Sequence, residues 1–244
     1  MGLTTGTEIN RRAVLLMQDS GITATAGTGG GIVPAPDAPG TPANVRWTVE
    51  EMLKWISDGQ RAIVLLRPNS NNKVAEIPLV AGPRQRLPDD GWLLLTANAN
   101  TDGASNYGRG VTLATFDAMN RQLPNWRADA KSKLVYNYMF DLTDQKAFYI
   151  WPPNDGTGHL EINYSAQPPE MTDLDQTIAI DDIFVPVLVD YVCMRCSTKD
   201  AEFSPDGLGY AQFFQGLFTT GLFGKDSAEK EQNPDAALPE RSNR

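Results

Sequence analysis

An α+β fold, a helical bundle formed by N- and C-terminal helices with an inserted antiparallel β-rich region, is predicted by three observations on this 244-residue chain. The phrase RWTVEEMLKWISDGQRAIVLLRP, residues 46–68, is a helix with both ends written into it. Three short runs at 134–140, 146–151 and 159–165 read as strands, and two apolar-striped segments follow between 183 and 223. Helices outside and strands inside place the sheet as an insertion in a bundle.

The first element is predicted over residues 7–19, with Ile9, Ala13, Leu16 and Met17 as its buried stripe and Gly21 as its stop. Residues 21–44 are rich in Gly, Ala, Thr and Pro and bury too little apolar surface to offset their ordering entropy, so a long loop is expected over 21–45. In the next helix Thr48 caps the first turn and Glu51, three residues on, completes a capping box. Val49, Met52, Leu53, Ile56, Ile63 and Val64 lie at the spacing of one helical face, and Pro68 biases Arg67 away from helical geometry.

From 69 to 178 the pattern becomes strand-like. Residues 75–80 and 92–97 are short, apolar and branched, with GPRQRLPDDG between them expected as loop. Residues 98–110 read as a polar connection, and 113–122 as a short helix capped by Thr112. In the strand at 159–165, Leu160, Ile162 and Tyr164 face one way and His159, Glu161 and Asn163 the other, which predicts a sheet wet on one side and hence antiparallel. PPNDGTG before it has the chemistry of a hairpin loop.

The chain then returns to helix over 179–223. Asp181 or Asp182 caps the segment 183–199, where Pro186 is tolerated in the first turn. Phe184, Val187, Leu188 and Tyr191 make one stripe and Val185, Val189, Val192 and Cys196 a second, so burial on two sides is expected. The last helix, 205–223, carries Tyr210, Phe213, Phe214, Leu217, Phe218, Gly221 and Leu222 on one face, a spacing that suits core or subunit contact better than a ligand pocket. Residues 224–244 are polar, contain Pro234 and Pro239, and read as an extended arm.

Composition excludes several functions. A net charge of −9 argues against nucleic-acid binding by phosphate neutralisation. Cys193 and Cys196 form a CxxC late in a helix rather than at the helix start a redox pair needs, and the sole histidine, His159, is distant, so buried inert thiols are expected. The pairs Asp89–Asp90 and Asp181–Asp182 read as turn and cap residues, and Ser105 misses a nucleophile elbow. Residues 27–31 lack the Lys-Ser/Thr of a phosphate loop. The opening MGLTTGTEINRR lacks the order of a secretory leader, and Gly6 stands where a myristoylation site needs Ser or Thr. No run of about 18 apolar residues is present to span a membrane. No enzyme, cofactor or metal site is expected.

Six phrases in order, RRAVLLMQDS, RWTVEEMLKWISDGQRAIVLLRPN, LVAGPRQRLPDDGWLLL, GRGVTLATFDAMNRQLPNW, FYIWPPNDGTGHLEINYSAQPP and IDDIFVPVLVDYVCMRCSTKDAEF, are together similar to the head-to-tail adaptor proteins of tailed bacteriophages, the group akin to tail tubular protein A. The resemblance spans residues 7–223 and departs from the family at the insertion 21–44. It implies a virion protein made in the host cytoplasm, a homo-oligomeric ring of usually twelve copies at the head–tail junction. Its implied partners are the portal protein and a tail nozzle or tail-tube protein, with genomic DNA passing through the channel without sequence-specific binding. It also implies that the C-terminal arm reaches the portal. With the aromatic face it suggests Tyr210, Phe214, Phe218, Leu222, Phe223, Lys225 and Leu238 as portal or subunit interface. The rival readings are another tail-tube or head-completion protein, or a carbohydrate-binding module using Trp92, Tyr149 and Trp151 as a sugar platform.

Overall fold

The computed structural model describes residues 3–17, 47–104, 106–201 and 206–232. The chain divides into two compact units, residues 1–70 with 168–244, and residues 71–167. The loop expected over 21–45 lies outside the described residues, as do Gly21 and Ser105.

Among the described residues the first unit holds four α-helices: α1 (Gly6–Leu16), α2 (Val49–Leu66), α4 (Val185–Asp200) and α5 (Gly207–Gln232). The capping box of α2 is present in full: Glu51 N–H donates to Thr48 Oγ1 at 3.2 Å and Thr48 N–H donates to Glu51 Oε2 at 2.9 Å. Glu51 also takes an ion pair from Lys199 of α4 at 2.6 Å, tying the start of α2 to the end of α4. Burial raises the Glu51 carboxyl, but Lys199 and Thr48 outweigh it and leave the group below its ordinary range.

Helix α4 is the axis of this unit and packs against α1, α2 and α5. Both of its expected stripes are buried, from Phe184 and Val185 through Val192 and Cys196. Close approach is allowed by glycine: a Cβ on Gly59 of α2 would lie 2.6 Å from Leu188 and 2.8 Å from Tyr191. Asp181 caps a 3-10 turn, Asp182–Phe184, that leads into α4, and Pro186 falls in the first turn. The start of α1 is anchored by Asp182, which accepts from the N–H groups of Leu3 and Thr4, and Gln60 of α2 accepts from Ala179 N–H at 2.7 Å in the segment before α4.

The second unit is a sandwich. Its strands are β1 (Asn72–Pro78), β2 (Gly82–Arg86), β3 (Gly91–Thr101), β4 (Tyr107–Gly110), β5 (Thr112–Leu113), β6 (Asn137–Phe140), β7 (Ala147–Asn154) and β8 (His159–Ala166). Two four-stranded sheets have orders β1-β8-β3-β4 and β2-β7-β6-β5, antiparallel except at β5–β6. Leu160, Ile162 and Tyr164 of β8 and Phe148 and Ile150 of β7 share one core between the sheets. The alternate residues of β7, Tyr149 and Trp151, face a second cluster built on Met119, Trp126 and Met139, where α3 (Phe116–Gln122) and a 3-10 turn at Trp126–Ala128 cover the outer face.

Several expectations are corrected. PPNDGTG is not a hairpin loop, because β7 and β8 lie in different sheets and Pro152 to Asn154 belong to β7. GPRQR, expected as loop, is the edge strand β2; its proline sits at a register shift, where no ladder bond is required of it. Residues 98–110 are the end of β3 and all of β4 rather than a connection. The short helix starts at Phe116 with Thr115 as its cap, since Thr112 is taken up in β5. The last helix runs on to Gln232, so residues 224–232 are helical and not an extended arm. In α1 the stripe is Ile9 and Ala13, and Leu16 is exposed.

Candidate docking surface

Helix α5 presents three surfaces. Ala211, Phe214, Phe218 and Leu222, spaced three and four apart, form a buried seam, and Phe218 meets the Tyr191 ring of α4 at 5.4 Å. At the end of the seam the Arg67 guanidinium donates through Nε to the Leu222 carbonyl at 3.0 Å and through Nη2 to the same oxygen. On one side of the seam Tyr210, Phe213 and Leu217 are exposed, at 60%, 60% and 40% of their free surface. Phe223 is exposed on the other. The seven apolar residues expected on one face are therefore split between a core and a solvent-facing stripe.

The interface candidates separate accordingly. Phe214, Phe218 and Leu222 belong to the interior of the helical unit, whereas Tyr210 and Phe223 are at its surface. Lys225 lies in the backbone of α5; its side chain, and Leu238 entirely, fall outside the described residues.

The exposed stripe forms one wall of an open groove of about 600 Å³. Leu16 and Met17 at the end of α1 line it, and Asp190, Ser197 and Asp200 of α4 supply its polar side. Burial pushes the Asp190 carboxyl above its ordinary range. Burial, with Asp190 nearby, pushes the Cys193 thiol up to about 12. Cys193 and Cys196 are both fully enclosed, and the first is thereby kept as the un-nucleophilic thiol. Sequence reading passed over Asp190, although a lone carboxylate inside IFVPVLVDYVC was the available signal. An apolar wall with acidic groups beside it suits a partner bearing apolar and cationic side chains.

The other candidates resolve into structural roles. Asp90 accepts from Lys73 at 2.6 Å and from the Tyr164 hydroxyl at 3.0 Å. His159 is half-buried rather than exposed, its ring under Gly103, where the positive φ of +88° makes glycine the fitting residue. Trp92 stands in the first sheet and donates to Ser165, while Tyr149 and Trp151 stand in the second beneath α3, so the three do not form a sugar platform. Among the described residues no group of three His, Cys, Asp or Glu side chains is placed to hold a metal, and no helix is long and apolar enough to cross a membrane.

Comparison with curated proteins finds no match. The sequence model for the SU10 adaptor protein matches residues 4–239, through both the helical and the β units, and the chain belongs to that phage head-to-tail adaptor family.

Proposed function

We propose that the chain is the structural adaptor that forms a ring directly below the portal of a tailed phage, extends the DNA channel and joins it to the tail nozzle or tail tube. The observation that carries this reading is the family match over residues 4–239, nearly the whole chain, and the order of helices and inserted sheet agrees with it. Exposed aromatic and aliphatic side chains on the helical unit supply contact surface for neighbours in the stack. A net charge of −9 suits a channel that repels the DNA backbone and lets it slide. Twelve copies are the expected ring number, and the segment beyond Phe223 is the expected portal contact.

Cryo-electron microscopy of the intact particle, averaged about the tailed vertex, tests this. The expected result is a ring of this chain in the layer under the portal, with its symmetry giving the copy number. Density in a lower layer would make the chain a tail-tube component, and absence from the particle would overturn the reading. Removing residues 233–244 is expected to weaken portal attachment, measured by pull-down of the purified portal, while leaving the helical unit folded.

A further inference from the structure

The helical unit carries two different apolar surfaces. One is the groove of Leu16, Tyr210, Phe213 and Leu217 with its acidic side at Asp190. The other is a flank at the end of α2, where Leu65 and Leu66 are exposed. The bond from Arg67 to the Leu222 carbonyl brings that end of α2 to the turn of α5 bearing exposed Phe223. At about 100° per residue, Tyr210, Phe213 and Leu217 lie on one side of the buried seam of α5 and Phe223 on the other. The two surfaces thus point in different directions.

Their charges differ as well. Asp190 borders the groove, and the flank carries Arg61, one turn before Leu65 on α2. Among the described residues Arg61 makes long ion pairs, 3.8 Å to Asp58 and 4.0 Å to Glu170, and its side chain stays 38% exposed. Groove against groove would set carboxylate on carboxylate, whereas the flank offers a guanidinium held only loosely by Asp58 and Glu170. Groove against flank joins apolar to apolar and acid to base.

We infer that the flank of one copy, Leu65, Leu66 and Phe223, seats in the groove of a second copy, with Arg61 of the first meeting the Asp190 side of the groove. The partner, a second copy of this chain, rests on the ring reading above. Such a junction is heterologous: each copy uses one surface for the copy before it and the other for the copy after it. A contact of that kind propagates and either closes into a ring or continues as a filament. A self-complementary contact would stop at a dimer.

The test is a mixing experiment with the purified full chain, read by sedimentation velocity and mass photometry. Phe213→Glu disables the groove and Leu65→Glu disables the flank; both residues are exposed, so at concentrations too low for assembly the circular dichroism spectrum and melting curve stay those of the parent. The parent chain is expected to form species larger than dimers as concentration rises. Each variant alone is expected to be monomeric, and their equimolar mixture to give dimers and nothing larger, since one intact groove and one intact flank remain. Dimers of Leu65→Glu alone, a monomeric mixture, or a parent chain monomeric at every concentration would overturn the inference. As a second readout, Asp190→Arg and Arg61→Asp are each expected to weaken assembly at least tenfold, and the doubly exchanged chain to regain it. A ring seen under the portal with this variant pattern absent would leave the adaptor reading standing and remove only the junction.

Discussion

Both units bury an apolar core, but they handle irregular backbone differently. The β unit is held together at its irregular places by buried amides. Asn154, fully enclosed, donates to the carbonyls of Ser132 and Lys133 and accepts from the N–H groups of Gly156 and Gly158. Asn100 donates to Arg109 and Val135 carbonyls and accepts from Val135 N–H, and Gln85 bridges Val80 and Gly82. Each amide satisfies backbone groups that a twisted, bulged sheet leaves without ladder partners. The helical unit uses fewer such amides, chiefly Gln60 on Ala179 N–H, and is closed by apolar packing around α4, with apolar surface left over on α1, α2 and α5. Directional bonds specify one closed shape, whereas apolar contact is non-directional and its surplus is free to bind another molecule.

The largest expected effect separates core from surplus along α5. Leu222→Asp puts a charge into the buried seam and is expected to cost on the order of 4 kcal/mol, enough to unfold the helical unit. Phe213→Asp, nine residues earlier but exposed, is expected to leave the melting temperature of the unassembled chain unchanged. Differential scanning calorimetry decides, and equal losses for both would erase the distinction between seam and stripe.

Next is the β unit's reliance on amides. Asn154→Ala leaves several buried groups without partners and is expected to cost about 3 kcal/mol. Hydrogen exchange is expected to speed up within residues 71–167 and to stay slow in α2 and α4. Uniform acceleration through both units would show that they open together.

Smaller again is the cap. Thr48→Ala removes one half of the capping box and is expected to cost about 1 kcal/mol in denaturant unfolding. Because Glu51 is shared between Thr48 and Lys199, Lys199→Met combined with Thr48→Ala should deviate from additivity, which a double-mutant cycle measures.

The smallest effect concerns Asp190. Its folded-state carboxyl is raised by burial, so ionisation costs more in the folded chain than in the unfolded one. The sign follows: its favourable contribution is complete below the ordinary value of 3.8 and is lost as pH rises through the raised folded value. Asp190→Asn is therefore expected to raise the melting temperature of the free subunit at neutral pH and to have little effect below about pH 3.8. A lower melting temperature at neutral pH would mean that the carboxylate is compensated within the subunit.

How much of this was legible varies with the physics of each element. The α2 helix was readable end to end because its cap, stripe and terminating proline are all local signals within 23 residues. The alternation of β8 was equally plain, and its three apolar residues are buried as read. The β2 strand was missed because Gly, Pro and Arg are poor strand signals; it exists through pairing with β7 on one side only, and Gln85 is buried by the bonds it makes. The hairpin at PPNDGTG failed for a related reason, since turn composition does not say which sheet receives the next strand. Of the docking surface, the aromatic positions on α5 were legible, but not their division, and Asp190 was not weighed at all.

By itself, the sequence determined the helix α2, the strand β8, the α+β order with its inserted sheet, and an apolar face on α5. These depend on caps, periodicity and composition, all of which act over a few residues. Only the tertiary structure decided that Phe218 and Leu222 face α4 while Phe213 faces solvent, that β7 and β8 belong to separate sheets, and that Asp190 borders an apolar groove. Those outcomes depend on which distant segment packs against a given face, and burial is a property of the pair of surfaces and not of either one alone.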